Sequence, residues 1–342
     1  MRHPLTAQSG ETVATPSVDP DVVLAVRRAA VRATLAPSVH NTQPWRLRLC
    51  GGDLEIRADW NRRLRVLDPR GRQLMISCGG AVFNARVSLA AAGYETVVDR
   101  FPDSAQPDLV ARLTVAGCRA DKDPIGALDS AVEARRTNRR RFADEPMPAD
   151  IVVLLVEAAN NEGAFLLPIT RPEHRLATAR LSQQADFVEN VDVAYRAELR
   201  AWTSGDPHRL DGVPAMAVPR RGDGLPGELP TRDFDTEGLG WLPSEARSTS
   251  NQCLLLLGSR QDTPVAWLRA GEALERVLLE ITRQGYAASP LTQVIEVAAT
   301  NALLREELAL TMHPHVLLRV GRAPTTPASR RRRLVDMLEE SG

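Results

Sequence analysis

The sequence predicts an α+β fold built from two copies of one structural unit. Each half of the 342-residue chain places a helix and a strand before a long apolar helix and a further strand. Gly79 precedes Tyr94 by 15 residues, Gly271 precedes Tyr286 by the same interval, and each pair encloses an apolar helical stretch. The shared order of elements, together with this interval, favours a duplicated α+β unit over a chance match between two helices.

The composition limits the classes of protein to which the chain can belong. Its length is enough for one large domain or two moderate ones. Lys plus Arg and Asp plus Glu both number 43, so no overall field attracts nucleic acid or membranes. The four cysteines are far apart and form no C-x-x-C pair, which indicates reduced thiols. With no signal segment and no run expected to span a bilayer, we expect a soluble, cytoplasmic protein.

The first unit is predicted over residues 19–122, after a polar arm at 1–18 that we expect to be disordered. Asp19-Pro20 marks a helix start, because an N-cap residue precedes Pro at the first helical position. Apolar residues alternate over 47–49 and 54–58 on either side of a Gly-Gly-Asp turn. This alternation predicts a β-hairpin.

The rest of the first unit is predicted to contain one long helix and two strands. Asp68-Pro69 is expected to begin the helix, and Gly93 is a plausible glycine stop at its end. Strand-like runs follow at 94–99 and 109–116.

The second unit is predicted over residues 123–342. Asp123-Pro124 is expected to open a helix that leads to an arginine cluster. The later expected elements are a helix near 149–160, a strand near 164–169, helices within 173–202, the apolar run Cys253–Leu257, a long helix over 264–284, a helix near 300–311 and the strand His315–Gly321.

Residues 203–250 interrupt the second unit as a lid-like insertion. Gly and Pro recur there and the hydrophobic periodicity fades. So long a stretch without regular structure inside a compact domain is usually a lid or a disordered excursion.

The segment Pro37–Trp45 is the most informative stretch of the chain. Two prolines restrict its backbone, and Ser38, Asn41, Thr42 and Gln43 offer short polar groups that a ligand could use. Pro, Ser and Asn also mark ordinary loops, so composition alone leaves both interpretations open.

A second constellation places five arginines within Arg135–Arg141. The planar guanidinium binds phosphate oxygens in pairs, and the hydroxyl of Thr137 supplies a further donor. Three other interpretations compete: a solvated helix end with cations placed against the dipole, a basic patch for nucleic acid, and an accident of an Arg-rich composition.

The order of residues in Pro37–Trp45 resembles the P-S-x-x-N-x-Q-P-W signature of flavin-dependent nitroreductases. It is still more similar to the A-P-S-x-H-N-T-Q-P-W form of the actinobacterial Acg family of FMN-binding proteins. The arginine cluster resembles the R-x-S/T-x-K/R motif with which nitroreductases hold the FMN phosphate. Arg135, Thr137 and Arg139 fit its spacing best, and a shift of one residue leaves Arg136 and Arg140 as alternatives.

The distribution of the two motifs implies how the site is assembled. In typical nitroreductases both motifs occur in each subunit, and each flavin lies across a dimer interface. Here the first half keeps only the proline-rich motif and the second half only the arginine motif. The resemblance therefore implies a nitroreductase-like fold in which the two units form an intrachain pseudo-dimer with one FMN site.

The resemblance also implies which residues bind the cofactor. Arg331 and Arg332 of the tail are expected to reach the phosphate, and the segment from Ser289 is expected to place backbone amides near N5 of the flavin ring. The expected cofactor-binding residues are Pro37, Ser38, Val39, Asn41, Gln43, Arg135, Arg136, Thr137, Arg139, Ser289, Pro290, Leu291, Arg331 and Arg332.

Two further segments contain histidines that could bind a ligand or a metal. His40 lies inside the proline-rich motif, either as a hydrogen-bonding bystander or in contact with the ring or substrate. His313-Pro314-His315 lacks the carboxylate or cysteine pattern that would complete a metal site, so none is expected.

The function that the resemblance implies is transfer of a hydride from NAD(P)H through FMN to a small nitroaromatic, quinone-like or other acceptor. Because FMN carries that chemistry, no acid–base dyad or nucleophile is required of the protein. The alternative is an FMN-sequestering or storage protein whose lid covers the flavin and blocks ordinary turnover. We expect neither a nucleic-acid nor a membrane partner, and a monomer or weak homodimer.

Overall fold

Two four-stranded antiparallel sheets form the framework of the molecule. The computed structural model describes residues 19–119, 121, 123–219, 229–236 and 252–339. The predicted disordered arm at 1–18 lies outside the described residues.

The first unit contains two helices and the first sheet. The Asp19 side chain accepts the backbone N–H of Asp21 and caps the first helix, as the Asp-Pro start predicts. The strands lie in the order β1-β2-β4-β3, and β1 and β2 form the predicted hairpin. The elements are α1 (Pro20–Thr34), β1 (Trp45–Cys50), β2 (Asp53–Ala58), α2 (Arg72–Ala91), β3 (Tyr94–Arg100) and β4 (Leu109–Cys118).

The chain then passes through a helical region before it enters the second sheet. The two-residue strands β6 and β7 pair in parallel with each other. The elements are α3 (Asp129–Ala134), α4 (Ala149–Asn161), β5 (Phe165–Pro168), α5 (Pro172–Val191), α6 (Val193–Ala201), β6 (Thr203–Ser204) and β7 (Val213–Pro214).

The second sheet contains β5 and three strands from the last third of the chain. Its order is β5-β8-β10-β9. The remaining elements are β8 (Cys253–Ser259), α7 (Pro264–Arg283), β9 (Ala287–Pro290), α8 (Gln293–Glu296), α9 (Ala298–Glu307) and β10 (His313–Gly321).

The two sheets have the same topology, which confirms the predicted duplication. In each sheet the strands lie in the order first, second, fourth, third along the chain, and every neighbouring pair is antiparallel. In each unit a 20-residue helix, α2 or α7, connects the second strand to the third.

The long helices α2 and α7 cross at the two glycines that match in the sequence. A Cβ atom added at Gly79 would lie 2.0 Å from the Leu268 carbonyl oxygen, and one at Gly271 would lie 2.0 Å from the Ile76 carbonyl oxygen. The helix backbones therefore touch directly, and the two units share one hydrophobic core.

Helix α2 is the described helix that bears on the expectation that no run spans a bilayer. By length and composition it is apolar enough to do so, but 89% of its 18-residue window is buried inside the protein. The burial explains its composition: α2 packs against α1, α7 and its own sheet, so almost no face needs to be polar.

Two helix starts differ from the sequence prediction. The second helix begins at Arg72, because Gly71 takes a positive φ of 75° and interrupts the helical path after Asp68. The Asp68 carboxylate still accepts the backbone N–H of Leu74, at 2.9 Å. The helix expected from Asp123-Pro124 opens as a 3₁₀ turn at Pro124–Leu128, which leads into the short α3.

Residues 203–219 and 229–236 are the described parts of the predicted insertion. They contain β6, β7 and a 3₁₀ turn at Ala215–Ala217, so this stretch has more regular structure than the sequence suggested. Several of its apolar side chains form a small separate core with residues of the first unit and of α6. That cluster comprises Leu64, Leu67, Tyr195, Leu199, Val213, Val218 and Phe234.

Candidate functional site

The connector between α1 and β1 holds an unusual backbone conformation. His40, Asn41 and Gln43 have φ angles of 48°, 56° and 48°, in the left-handed region that non-glycine residues rarely adopt. The Ser38 hydroxyl accepts the backbone N–H of Gln43 at 2.9 Å and closes this turn. Such strain persists only where the surroundings enforce it, and it is concentrated at functional sites.

Two adjoining cavities lie beside this connector, between the two units. The first, the apolar cavity, has about 940 Å³ of empty space, part of it open to solvent, and includes Leu274, Leu278 and Val316 in its walls. The second, the basic cavity, has about 780 Å³ and includes four arginines in its walls. The cavities share four lining residues, Pro37, Ser38, Thr137 and Arg139.

The shared residues bring together the two motifs that the sequence singled out. Pro37 and Ser38 belong to the first unit, and Thr137 and Arg139 to the second. A backbone bridge between Thr137 and Ala288 of β9 fastens the arginine motif, and the Asn138 N–H donates to the Ala288 carbonyl at 2.9 Å. The motifs are therefore 100 residues apart in the chain but line one cleft.

Besides the shared Arg139, the arginines that line the basic cavity are Arg135, Arg136 and Arg331. The Arg331 guanidinium donates to the Asn41 side-chain oxygen at 3.0 Å. The buried Arg135 and the half-buried Arg331 both donate to the Leu35 carbonyl, at 3.4 Å each. Burial, and then the charge of Arg135, lowers the pKa of Arg331 to about 9. An anion in this cavity would offset the cost of burying these charges.

Arg139 stands at the junction of the cavities. Its guanidinium carbon lies 4.8 Å from the centroid of the Phe234 ring. Burial, and then the neighbouring charge of Arg232, lowers the pKa of Arg139 to about 10. Arg140, the alternative in the shifted register, instead donates to the Thr325 carbonyl at 3.2 Å and is not among the cavity residues.

The roof of the apolar cavity comes from the insertion. Thr231, Arg232 and Phe234 line it, and the Phe234 ring meets His40 edge-on at 5.3 Å between centroids. Arg232 forms a buried ion pair with Glu296 and donates to the Tyr195 hydroxyl. The sequence predicted an insertion here but could not identify these side chains, because no local pattern marks them.

The apolar cavity contains buried polar atoms without partners among the described residues. Both ring nitrogens of His40 and Nε2 of Gln73 are in this state, and both residues line the cavity. Burial, followed by the charges of Arg232 and Arg139, lowers the pKa of His40 well below its usual value. A neutral imidazole and an amide with unused hydrogen-bonding capacity indicate that a polar ligand completes the site.

Most of the residues expected to bind a cofactor line one of the two cavities. The apolar cavity includes Val39, Ser289, Pro290 and Leu291, besides the shared residues. The Leu291 N–H donates to the Leu317 carbonyl at 2.7 Å, so that amide is engaged in the sheet and is not directed at a ligand.

Gln43 and Arg332 are the two expected residues that line neither cavity. Nε2 of Gln43 donates to the Leu210 carbonyl at 2.9 Å, and its Oε1 accepts the Arg332 N–H at 2.7 Å. Gln43 thus joins the insertion to the C-terminal tail. Asn41 acts similarly through its bonds to the Gly212 carbonyl and to the tail, although it also borders the basic cavity.

Within the part of the chain that the structure describes, no three or more His, Cys, Asp or Glu side chains are grouped to hold a metal ion. The donors that converge on the cleft are guanidinium, hydroxyl, amide and imidazole groups. Such a set suits an anionic, partly aromatic organic ligand rather than a cation.

Comparison with known proteins gives several relatives. Two from Mycobacterium tuberculosis carry the name "Putative NAD(P)H nitroreductase". One is 35% identical over 319 residues, covering 92% of this chain and 91% of the relative. The other, called acg, is 28% identical over 302 residues, covering 87% and 89%. No family model matches the sequence.

Solved structures with similar folds are more distant. A nitroreductase from Desulfovibrio desulfuricans in complex with FMN is 19% identical, covers 65% of this chain and 99% of its own, and has a TM-score of 0.36. An FMN- and NADPH-dependent nitroreductase, NfnB, from Sphigopyxis sp. strain HMH is 17% identical, covers 63% and 99%, and has a TM-score of 0.39.

Proposed function

Because the chain belongs to the Acg family of the nitroreductase superfamily, we propose that it binds one FMN and acts as an NAD(P)H-dependent oxidoreductase on a small acceptor. The acceptor class is a nitroaromatic, a quinone or a compound of similar size. When bound, FMN supplies the chemistry by accepting a hydride and passing on two electrons.

The observation that carries this proposal is the junction of the two cavities. An elongated ligand with a phosphate at one end and a planar ring at the other matches a basic cavity joined to an apolar one. Arg135, Arg136 and Arg331 would hold the phosphate, because guanidinium groups bind its oxygens in pairs. Pro37, Ser38 and Val39 would border the ring.

The unpartnered polar atoms support the same fit. His40 and Gln73 have hydrogen-bonding capacity beside the apolar cavity that no described protein group uses. The polar edge of an isoalloxazine ring offers both donors and acceptors and would satisfy them. Arg139 lies at the junction of the two cavities, so it would approach the flavin ring, where its charge would stabilise electron-rich, reduced flavin.

A direct test is to purify the protein, add FMN and titrate binding by the quenching of flavin fluorescence. We expect saturable binding, and reduction of the bound flavin by NADH or NADPH under anaerobic conditions. A protein that binds no FMN at micromolar concentrations would contradict the proposal.

A second candidate function is FMN storage, and the roof of the apolar cavity favours it. Thr231, Arg232 and Phe234 line the apolar cavity and would cover the approach of a hydride donor to the ring, and buried contacts hold Arg232 in place. Flavin that dithionite reduces but NADH and NADPH do not would favour storage. Bleaching by either nicotinamide nucleotide within minutes would favour the reductase.

A further inference from the structure

A buried carboxyl group lies behind the basic cavity and has no role in the function proposed above. Glu275, on α7, has no exposed surface. Its Oε1 lies 3.5 Å from Nε of Arg135, and neither carboxylate oxygen has a hydrogen-bond partner of normal geometry among the described residues. Buried polar atoms in this state are rare in folded proteins and require an explanation.

Glu275 differs sharply from the other buried acid on the same helix. Glu272, one turn earlier, accepts hydrogen bonds from Arg100 at 2.6 and 2.8 Å and from Arg86 at 2.7 Å. Glu272 is therefore a satisfied structural ion pair. Glu275 has the long contact to Arg135 and a weak interaction with the Asn84 amide, so the protein compensates its charge less completely than that of Glu272.

The groups around Glu275 connect it to the basic cavity. Arg135 approaches from the loop after α3 and Arg331 from the C-terminal tail, and both line that cavity. Asn84 of α2 lies alongside, and its amide atoms are also buried without partners of normal geometry. Any dianion bound by Arg135 and Arg331 would draw their charge away from Glu275 and add a like charge near it.

We propose that Glu275 is the proton-linked member of the phosphate site: it is ionised while the cavity lacks an anion and takes up one proton from solvent when the FMN phosphate binds. Before binding there are an ionised Glu275 carboxylate, a free phosphate dianion and one proton in solvent. After binding there is a neutral Glu275 carboxyl group beside the bound phosphate dianion. This inference rests on the proposed binding of FMN.

The electrostatic surroundings support the direction of the proton transfer. Burial raises the pKa of Glu275 to about 7, and the charge of Arg135, the Asn84 amide and the charge of Arg331 oppose this rise only in part. A bound phosphate would raise it further, because a nearby like charge disfavours the ionised form. A group whose pKa is higher in the complex favours binding at lower pH, so FMN affinity should fall as pH rises above 7.

The test is a count of protons by titration calorimetry at pH 8, in buffers of different ionisation enthalpy. At that pH the phosphate of free FMN is already dianionic, since its second pKa is about 6. We expect the wild type to take up about 0.5 proton or more per FMN, and Glu275→Gln to take up almost none. Riboflavin, which lacks the phosphate, should cause no uptake in either protein.

The ratio of the FMN affinities of Glu275→Gln and the wild type, measured at two pH values, gives a second test on the same proteins. Because Gln resembles the neutral carboxyl, Glu275→Gln should bind FMN as tightly as the wild type near pH 6. Near pH 8.5 Glu275→Gln should bind FMN about tenfold more tightly than the wild type, because there the Glu275 carboxylate of the wild type must take up a proton before FMN is bound. Glu272→Gln is the matched control, with the same substitution and burial on the same helix, and should keep the proton uptake of the wild type.

The outcomes separate this inference from the proposed function. FMN binding without proton uptake in the wild type, or with the same uptake in Glu275→Gln, overturns the inference alone. Weaker FMN binding by Glu275→Gln at every pH would mean that the carboxylate stays ionised and merely orients Arg135, which also overturns it. Absence of FMN binding by the wild type overturns both. If Glu275→Gln does not fold, the comparison of FMN with riboflavin on the wild type decides.

Discussion

At the scale of single residues, the proposed phosphate site includes buried charged side chains that have few partners of opposite charge. Arg135 is 5% exposed, yet its one carboxylate contact among the described residues is the 3.5 Å approach to Glu275. Burying a cation with so little compensation destabilises the protein unless a ligand supplies the missing charge. The destabilisation caused by burying Arg135 is therefore consistent with a site that is complete only when an anion is bound.

Replacing Arg135 by Ala should weaken FMN binding by roughly one to two orders of magnitude. A hydrogen bond to a charged group contributes about 1.5–3 kcal/mol, and this arginine lines the basic cavity. The dissociation constant can be measured by fluorescence quenching. Arg141→Ala, which removes an exposed arginine of the same cluster, is the control and should change it little. A loss below threefold for Arg135→Ala would contradict this assignment.

His315 gives a residue-scale prediction about pH and stability. Burial, and then the charge of Arg72, lowers its pKa to about 3, while an unfolded chain returns it to about 6.5. The stability that depends on neutral His315 is thus present above pH 6.5 and is lost as pH falls towards 3. As pH falls from 6.5 to 5, the free energy of unfolding should decrease by about 2 kcal/mol less in His315→Asn than in the wild type, as measured by urea denaturation. Equal pH slopes in both proteins would refute this.

The sequence predicted residues well where a motif fixed both their type and their spacing. Pro37, Ser38, Thr137 and Arg139 meet at the cleft as the resemblance implied. It failed where the structure uses a residue to hold the chain together: a Gln inside a binding motif carries no sign that it will join two loops, as Gln43 does.

At the scale of elements, the crossing of α2 and α7 positions the site. The connector that follows α1 and the residues of α7 come close enough to share a cavity only because two glycines let the helices touch. In the sequence, Gly79 and Gly271 each precede a tyrosine by 15 residues, but this repeated spacing alone could not show that the two glycines contact each other.

Gly79→Ala should destabilise the protein by about 1–3 kcal/mol, because its Cβ would lie 2.0 Å from a backbone oxygen and the helices would have to separate. Its neighbour Gly80 is the matched control. A Cβ there meets its nearest atom at an ordinary 3.5 Å, so Gly80→Ala should be neutral or stabilising by up to about 1 kcal/mol. Chemical denaturation measures both, and similar effects of the two substitutions would contradict the close crossing.

The segment 229–236 is held over the apolar cavity by Arg232, whose partners are Glu296, Tyr195 and Thr292. Arg232→Ala should release this cover and raise the dissociation rate of FMN about tenfold or more, because removing one partner of a buried ion pair costs about 3–5 kcal/mol. The rate can be followed by the recovery of flavin fluorescence on dilution. Arg180→Ala, which removes a more exposed ion pair with Glu307, is the control. An unchanged rate for Arg232→Ala would mean that the segment does not retain the flavin.

Element boundaries were harder to predict than element types. The sequence located both long helices and every strand of the two sheets except β9, because their periodic patterns are extended. It missed β9, because the run Ala287–Pro290 shows no alternation of apolar and polar residues. It missed α8, whose four residues are too few to display a period, and it read the 3₁₀ turn after Asp123 as a helix because both begin with the same Asp-Pro start.

At the scale of the whole molecule, the duplication explains the division of the motifs. Each unit has the same strand order and contributes one long helix to a common crossing. The cleft lies between units, so one motif from each is sufficient for a single complete site. We propose that residues 19–122 and 123–342 are these two units and that the insertion within 203–250 acts as the lid.

The stoichiometry of flavin in the monomeric fraction tests the central claim most directly. The protein would be saturated with FMN, separated by size-exclusion chromatography, and measured at once for mass by light scattering and for flavin by visible absorbance. We expect one FMN per polypeptide at the mass of a single chain, since both halves of the site belong to that chain. Flavin that appears only in a dimer, or two flavins on each chain, would show that the site is not assembled from the two halves of one polypeptide.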